Sequence, residues 1–175
     1  MLDSLACPEG LSDEEKDRFW MQRAFELAQR SEAEGEVPVG AVVVLNDELV
    51  GEGWNQPIQK HDPTAHAEMM ALKSAGQKLE NYRLIDTTLY VTLEPCPMCA
   101  SAMVHARVGK VVYAADDLKT GSAISAFQLL NSPKLNHHVE IVYGVMQPEC
   151  SELLSNFFRK RRETKKKVKK ITTKN

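Results

Sequence analysis

Hydrophobic residues recur along this chain in two periods, and the switches between them lay out its elements. Over residues 12–35, Trp20, Ala24 and Leu27 fall at helical spacing, with Met21, Phe25 and Ala28 beside them. Ser12 and Glu15 make a capping-box pattern and Gly35 is a stop, so this stretch is predicted as a core-facing helix. The β-branched run Val39 to Leu45, the turn pair Asn46-Asp47 and the return from Glu48 to Trp54 predict a hairpin. QPIQKHDP (56–63) reads as a loop, and Pro63-Thr64 can open a helix running to about Gly76. Strands are predicted at 87–94, 110–115 and 139–145, with a helix beginning at Pro95 and Pro97 after the first of them. DDLKTGS (116–122) is loop, and 123–138 reads as a short helix and a loop. The closing helix, from Pro148, carries an apolar stripe at Leu153, Leu154, Phe157 and Phe158. The order α-β-β-α-β-α-β-β-α predicts a mixed sheet with helices on both faces, and no repeat or linker divides it.

Composition narrows the class. A chain of 175 residues, 43% hydrophobic and 26% charged, suits one globular core. No apolar run approaches the roughly 20 residues of a spanning helix, and the acidic start MLDSLACPEGLSDEEKD lacks an apolar signal region. A cytoplasmic protein without membrane contact is expected. Residues 1–11 read as a loose N-terminus, 12–162 as the domain and 163–175 as a Lys-rich tail.

Charge changes the picture more than its sum of −2 suggests. From Arg159 to Asn175 there are ten Lys or Arg against one acid, Glu163, so the segment is +9 and residues 1–158 are −11. A basic end on an acidic body points to a polyanion, nucleic acid first, against the alternative of a solvated tail.

The candidate chemistry lies at two helix starts. Cys96 and Cys99 are a close pair, which in a reducing compartment is more often metal-binding or catalytic than a disulfide. Cys7 and Cys150 read as packing residues. Spacing of i, i+3 puts Cys96 and Cys99 on one helix face, at an N-terminus whose dipole favours thiolate. A catalytic zinc takes three protein ligands and keeps a fourth position for water, and His66 is the best third ligand. Glu68, two residues on, is then free to act on water and substrate as general base and acid. A closed structural zinc site and a redox pair are the competing readings. Glu68 argues against the first, and the prolines flanking Cys96 against the second.

His66-Ala67-Glu68 with Pro95-Cys96-Pro97-Met98-Cys99 resembles the signature of the zinc nucleobase deaminases. The stretches EVPVGAVVV, GEGWN, HDPTAHAE, NYRLIDTTLYVTLEPCPMC and FFRKRR are similar to the bacterial tRNA-specific adenosine deaminases over roughly residues 15–162. That resemblance implies a three-layer α/β/α cytidine-deaminase-like fold with a central mixed five-stranded sheet, and a homodimer. It implies hydrolytic conversion of the wobble adenosine of a tRNA anticodon stem-loop to inosine, by attack on adenine C6 with loss of ammonia. It implies one Zn²⁺ per subunit on His66, Cys96 and Cys99, with Glu68 as the proton shuttle. By the same resemblance Asn55 contacts the target nucleotide and Asp117 lies near its ribose, loop-capping and solvated-loop roles being the alternatives. Phe157, Phe158, Arg161 and Arg162 match anticodon contacts on the closing helix, with core packing the alternative for a Phe. His105 reads as a core residue. The Lys-rich tail is expected to add salt-dependent, sequence-independent RNA affinity.

Overall fold

The computed structural model describes residues 5–172, with side chains as far as Lys167. Ten elements follow in order: α1 (Asp13–Ala33), β1 (Gly40–Leu45), β2 (Glu48–Trp54), α2 (Pro57–Lys60), α3 (Ala67–Lys78), β3 (Thr88–Leu93), α4 (Pro97–Ala106), β4 (Lys110–Ala115), β5 (Glu140–Tyr143) and α5 (Gln147–Thr172). The strands form one sheet in the order β2-β1-β3-β4-β5. β1 pairs antiparallel with β2 and β3, while β3–β4 and β4–β5 are parallel. This is the mixed five-stranded sheet the pattern predicts.

Strand alternation builds two cores. Ala41, Val43, Leu89, Val91, Val111 and Tyr113 pack with Ala71, Ala75, Ala100 and Met103 of α3 and α4. Val42, Val44, Tyr90, Val112 and Ala114 turn the other way, onto Trp20, Met21, Ala24 and Leu27 of α1 and Cys150 of α5. Three layers result, and Cys7 and Cys150 are buried packing residues as expected. The sheet lets α3 approach closely because Gly53 has no side chain. A Cβ there would lie 2.6 Å from the Ala67 carbonyl oxygen and from the Ala71 nitrogen.

Several boundaries differ from the sequence reading. Pro63-Thr64 does not open α3. The Asp62 carboxylate accepts from the Thr64 N–H (2.8 Å) and hydroxyl (2.7 Å), making a turn, so the helix starts at Ala67. QPIQKHDP is not all loop, for Pro57–Lys60 is a single helical turn whose Ile58 and Gln59 N–H groups donate to the buried Glu36 carboxylate. Residues 123–138 hold no helix, only turns. Residues 5–7 lie along the hairpin: Cys7 N–H donates to the Asp47 carbonyl and Leu49 N–H to the Leu5 carbonyl, both at 2.9 Å. Residues 1–4 and Lys174 lie outside the described residues. The Lys-rich segment that follows Arg162 continues α5 as far as Thr172.

Candidate active site

β2, β3 and β4 run in one direction and end at one edge of the sheet. Asn55 follows β2, Glu94 and Cys96 follow β3, and Asp116 and Asp117 follow β4. The N-termini of α3 and α4 meet there. His66 is the N-cap of α3 and Cys96 that of α4, both with extended backbone and neither capping its own helix through its side chain. An N-cap side chain lies over the third helical residue, the relation a capping box uses. Cys96 thereby meets Cys99, although it is not itself helical.

His66 Nδ1 lies 3.7 Å from Cys96 Sγ and 3.7 Å from Cys99 Sγ. Zinc bonds of about 2.3 Å to sulfur and about 2.05 Å to nitrogen, at a tetrahedral angle, set such atoms about 3.6 Å apart. The three ligands therefore fit Zn²⁺, through Nδ1 of the histidine, with one position left open. Among the described residues they are the one such His/Cys/Asp/Glu group. A hydrogen bond from Cys99 holds the Cys96 thiol down to about 4 against its burial, while Cys99, as donor, is pushed up. The hydrogen bond to Cys96 raises His66, burial opposing it.

Glu68, the second residue of α3, is 4% exposed beside this cluster. Burial, against a hydrogen bond from its own N–H, pushes its carboxyl up to about 7. His66, Glu68 and Cys96 line a cavity of about 300 Å³ together with Asn55 and Asp117. Asn55 Oδ1 accepts from the Ala67 N–H (2.9 Å), capping α3 from outside, and Nδ2 donates to the Val37 carbonyl (3.2 Å). The Asp117 carboxylate accepts from Lys119 and Thr120 N–H and from the Thr120 hydroxyl, folding the loop at the cavity rim.

The remaining residues read from sequence are spread along α5. Phe158 is 43% exposed and lines a second cavity, of about 460 Å³, which shares Val37, Leu93, Asp117 and Thr120 with the first. Phe157 is buried, edge-on to Phe158, with the Arg161 guanidinium 5.4 Å from its ring centroid. Arg161 borders a separate cleft between α1 and α5, and Arg162 is exposed. His105 is exposed on α4, a correction to its core reading: it falls on the solvent side, one residue beyond buried Met103 and Val104.

Two buried acids escaped the sequence reading. Glu94 accepts from five donors in the 117–125 segment, and Glu36 caps α2. Each stands beside an apolar strand, and an acid in that position was the available signal.

Residues 14–115 match the family described as cytidine and deoxycytidylate deaminase zinc-binding region. The tRNA-specific adenosine deaminase of Haemophilus influenzae is 51% identical over 153 residues, covering 87% of this chain and 88% of that protein. The chain belongs to the tRNA-specific adenosine deaminase family. The deaminase is also 44% identical to the Bacillus subtilis protein of that name over 155 residues, 89% of this chain and 96% of that one. A solved structure from studies of A-to-I editing by tRNA:A34 deaminases superposes with a TM-score of 0.76 at 35% identity, over 78% of this chain and 99% of that one. The guanine deaminase from Nitrosomonas europaea, 19% identical with a TM-score of 0.74 over 89% of this chain and 88% of that one, shares the fold alone. The deaminase is thus a zinc-dependent enzyme of cytidine-deaminase fold, with His66, Cys96 and Cys99 positioned for the metal.

Proposed function

We propose that this deaminase hydrolyses adenosine to inosine at the wobble position, position 34, of a tRNA anticodon, using zinc-activated water and Glu68 as proton shuttle. The observation that carries the reading is the cluster of His66, Cys96 and Cys99 at a cavity that Glu68 also lines, in a chain this similar to tRNA-specific adenosine deaminases. Bound zinc supplies Lewis acidity, lowering the pKa of a coordinated water to about 7.

The chain's own residues do the rest. Glu68 takes a proton as oxygen adds to adenine C6 and delivers it to the nitrogen that leaves as ammonia. The second N–H of the Asn55 amide is free to donate to the nucleotide, since Val37 takes only one. Asp117 keeps lone pairs for a ribose hydroxyl. Phe158, exposed at the adjoining cavity, stacks on a base flanking the target with buried Phe157 packed edge-on behind it, and Arg161 and Arg162 serve the phosphates. An anticodon loop presents unpaired bases, so extrusion into the cavity costs less than from a duplex.

A cytoplasmic homodimer is part of the proposal. All four cysteines are free thiols, which suits a reducing compartment, and among the described residues no helix is long and apolar enough to cross a membrane. Tyr82, 72% exposed, lines an apolar groove between α3 and α4 that a second copy would cover. The test is inosine formation by zinc-loaded protein on an anticodon stem-loop with wobble adenosine, beside free adenosine and cytidine, with Glu68→Ala as control. Inosine in the stem-loop only, lost in the variant, is expected. Turnover of free nucleoside instead would keep the zinc chemistry and overturn the RNA assignment.

A further inference from the structure

We infer that Glu94 is a positioning residue of this enzyme: its buried carboxylate seats the 117–125 segment and, through the Asp117 backbone, sets where the Asp117 side chain meets the target nucleotide. The inference rests on the tRNA reading above for what Asp117 touches, and adds the residue that holds it in place.

Glu94 follows the last residue of β3 and is 2% exposed, yet it lines the zinc cavity beside Cys96 and Asp117. A second buried carboxylate at such a cavity invites a reading as a second general base. Its acceptor capacity rules that out. A carboxylate offers about four lone-pair sites. Five donors fill those of Glu94: the Ala123, Ile124 and Ser125 N–H groups on Oε1, and the Asp117 N–H and the Ser125 hydroxyl on Oε2. No lone pair is left for water or nucleotide. Three successive N–H groups turned on one oxygen form the nest that a loop makes around an anion, and here the anion is a side chain of the same chain. All five donors belong to the cavity rim, and none to a metal ligand or to Glu68.

A second residue shows how closely this seat is fitted. A Cβ on Gly121 would lie 2.2 Å from Glu94 Oε2 and 2.5 Å from the Asp117 carbonyl oxygen, which accepts the Gly121 N–H at 2.8 Å. Gly121 does not adopt a positive φ, so close approach and not backbone conformation calls for glycine there. The Ser122 N–H donates to the Pro95 carbonyl (2.8 Å), laying the same segment against the turn that leads into α4. From the seat the order passes outward. Glu94 fixes the Asp117 amide at 3.0 Å, and the Asp117 carboxylate then gathers the Lys119 and Thr120 N–H groups at the cavity mouth. Loosening Glu94 therefore shifts the Asp117 carboxylate. A misplacement of about 1 Å can cost on the order of 100-fold in rate when it falls on the reacting centre. Here it falls on a group that meets the ribose, so the cost goes to substrate binding and is smaller.

The test uses full-length zinc-loaded protein, wild type, Glu94→Gln and Gly121→Ala, well below their melting temperatures and with folding checked by circular dichroism. Gly121→Ala crowds the seat from the other side and keeps the carboxylate, so it decides the matter if Glu94→Gln does not fold. Zinc content should stay stoichiometric in both. KM for an anticodon stem-loop with wobble adenosine should rise on the order of 10-fold, with kcat within about twofold of wild type. Asp117→Ala completes a double-mutant cycle. Because Glu94 acts through Asp117, the variant carrying both Glu94→Gln and Asp117→Ala should match Asp117→Ala alone in KM to within about twofold. An unchanged KM in both folded variants would overturn the inference and leave Glu94 a support of stability alone. A fall in kcat or zinc content at unchanged KM would also overturn it, placing Glu94 with the metal or the proton. So would KM effects that multiply across the cycle. A wild type that deaminates free adenosine and not the stem-loop would overturn the tRNA reading alone. In that event the same rise in KM for adenosine upholds the positioning role, and its absence overturns that too.

Discussion

Replacing Glu94 with Gln removes one charge and turns one hydrogen-bond acceptor into a donor at the point where β3 meets the rim of the zinc cavity. Oε1 accepts from the N–H groups of Ala123 (3.2 Å), Ile124 (2.8 Å) and Ser125 (2.9 Å), and Oε2 from the Asp117 N–H (3.0 Å) and the Ser125 hydroxyl. The amide oxygen of Gln can keep the first three. Its NH₂ then faces the Asp117 N–H, donor against donor, while the Ser125 hydroxyl can rotate to accept. One orphaned N–H costs about 1–3 kcal/mol, and three bonds weaken from charge-assisted to neutral, with partial relief from not burying an anion. A net loss of about 3 kcal/mol follows, and at about 2–4 °C per kcal/mol for a chain of this size the melting temperature should fall by about 6–12 °C.

The pH dependence of that loss has a definite sign. Burial would raise Glu94, but hydrogen bonds from Ser125, Ile124 and Asp117 outweigh it and hold the carboxyl below its ordinary value. A carboxyl depressed on folding stabilises above its unfolded pKa of about 4.3, and the contribution is lost as pH falls through the folded value. The wild type should therefore lead the variant at neutral pH and converge on it below about pH 4. Calorimetry gives the melting temperatures, and hydrogen exchange over 117–125 locates the effect. Equal melting temperatures at neutral pH, with unchanged exchange in that segment, would refute the reasoning.

Three further perturbations follow from the geometry. Gly53→Ala sets a Cβ 2.6 Å from α3 backbone and should displace the helix bearing Glu68, lowering stability by about 1–3 kcal/mol and reducing zinc content, read by thermal melts and metal analysis. Asn55→Ala orphans the Ala67 N–H and should cost about 1–3 kcal/mol in a thermal melt, whether or not RNA is present. Cys99→Ser replaces a buried thiolate ligand, and the protein should lose zinc and deaminase activity together, whereas retention of stoichiometric zinc would refute the ligand assignment.

Much of the fold was legible because its periodicities are local. The helix of Trp20 and Leu27, the Asn46-Asp47 hairpin and the apolar strands follow from residue spacing, and both turn residues adopt the positive φ such a hairpin demands. His66, Cys96 and Cys99 were legible for a different reason: metal chemistry admits few residue types, and two short motifs held them all. The failures have one cause. Pro63-Thr64 looked like a helix start, yet the Asp62 side chain bonded the backbone first. The 123–138 segment has no period of its own and takes its shape partly from Glu94, about thirty residues earlier. His105 was misread because burial depends on which helix face meets the sheet.

The chain by itself determined most of its elements, its ligand types and its division into an acidic body and a basic end, since each is a matter of local spacing or of counting. Tertiary structure alone decided that β2, β3 and β4 end at one edge and that two N-caps face each other across 3.7 Å. It also decided that Asn55 caps a helix twelve residues away and that α5 keeps its helix beyond the core. Those outcomes depend on strand order and on the close seating of α3 over Gly53, long-range packing that no local period encodes.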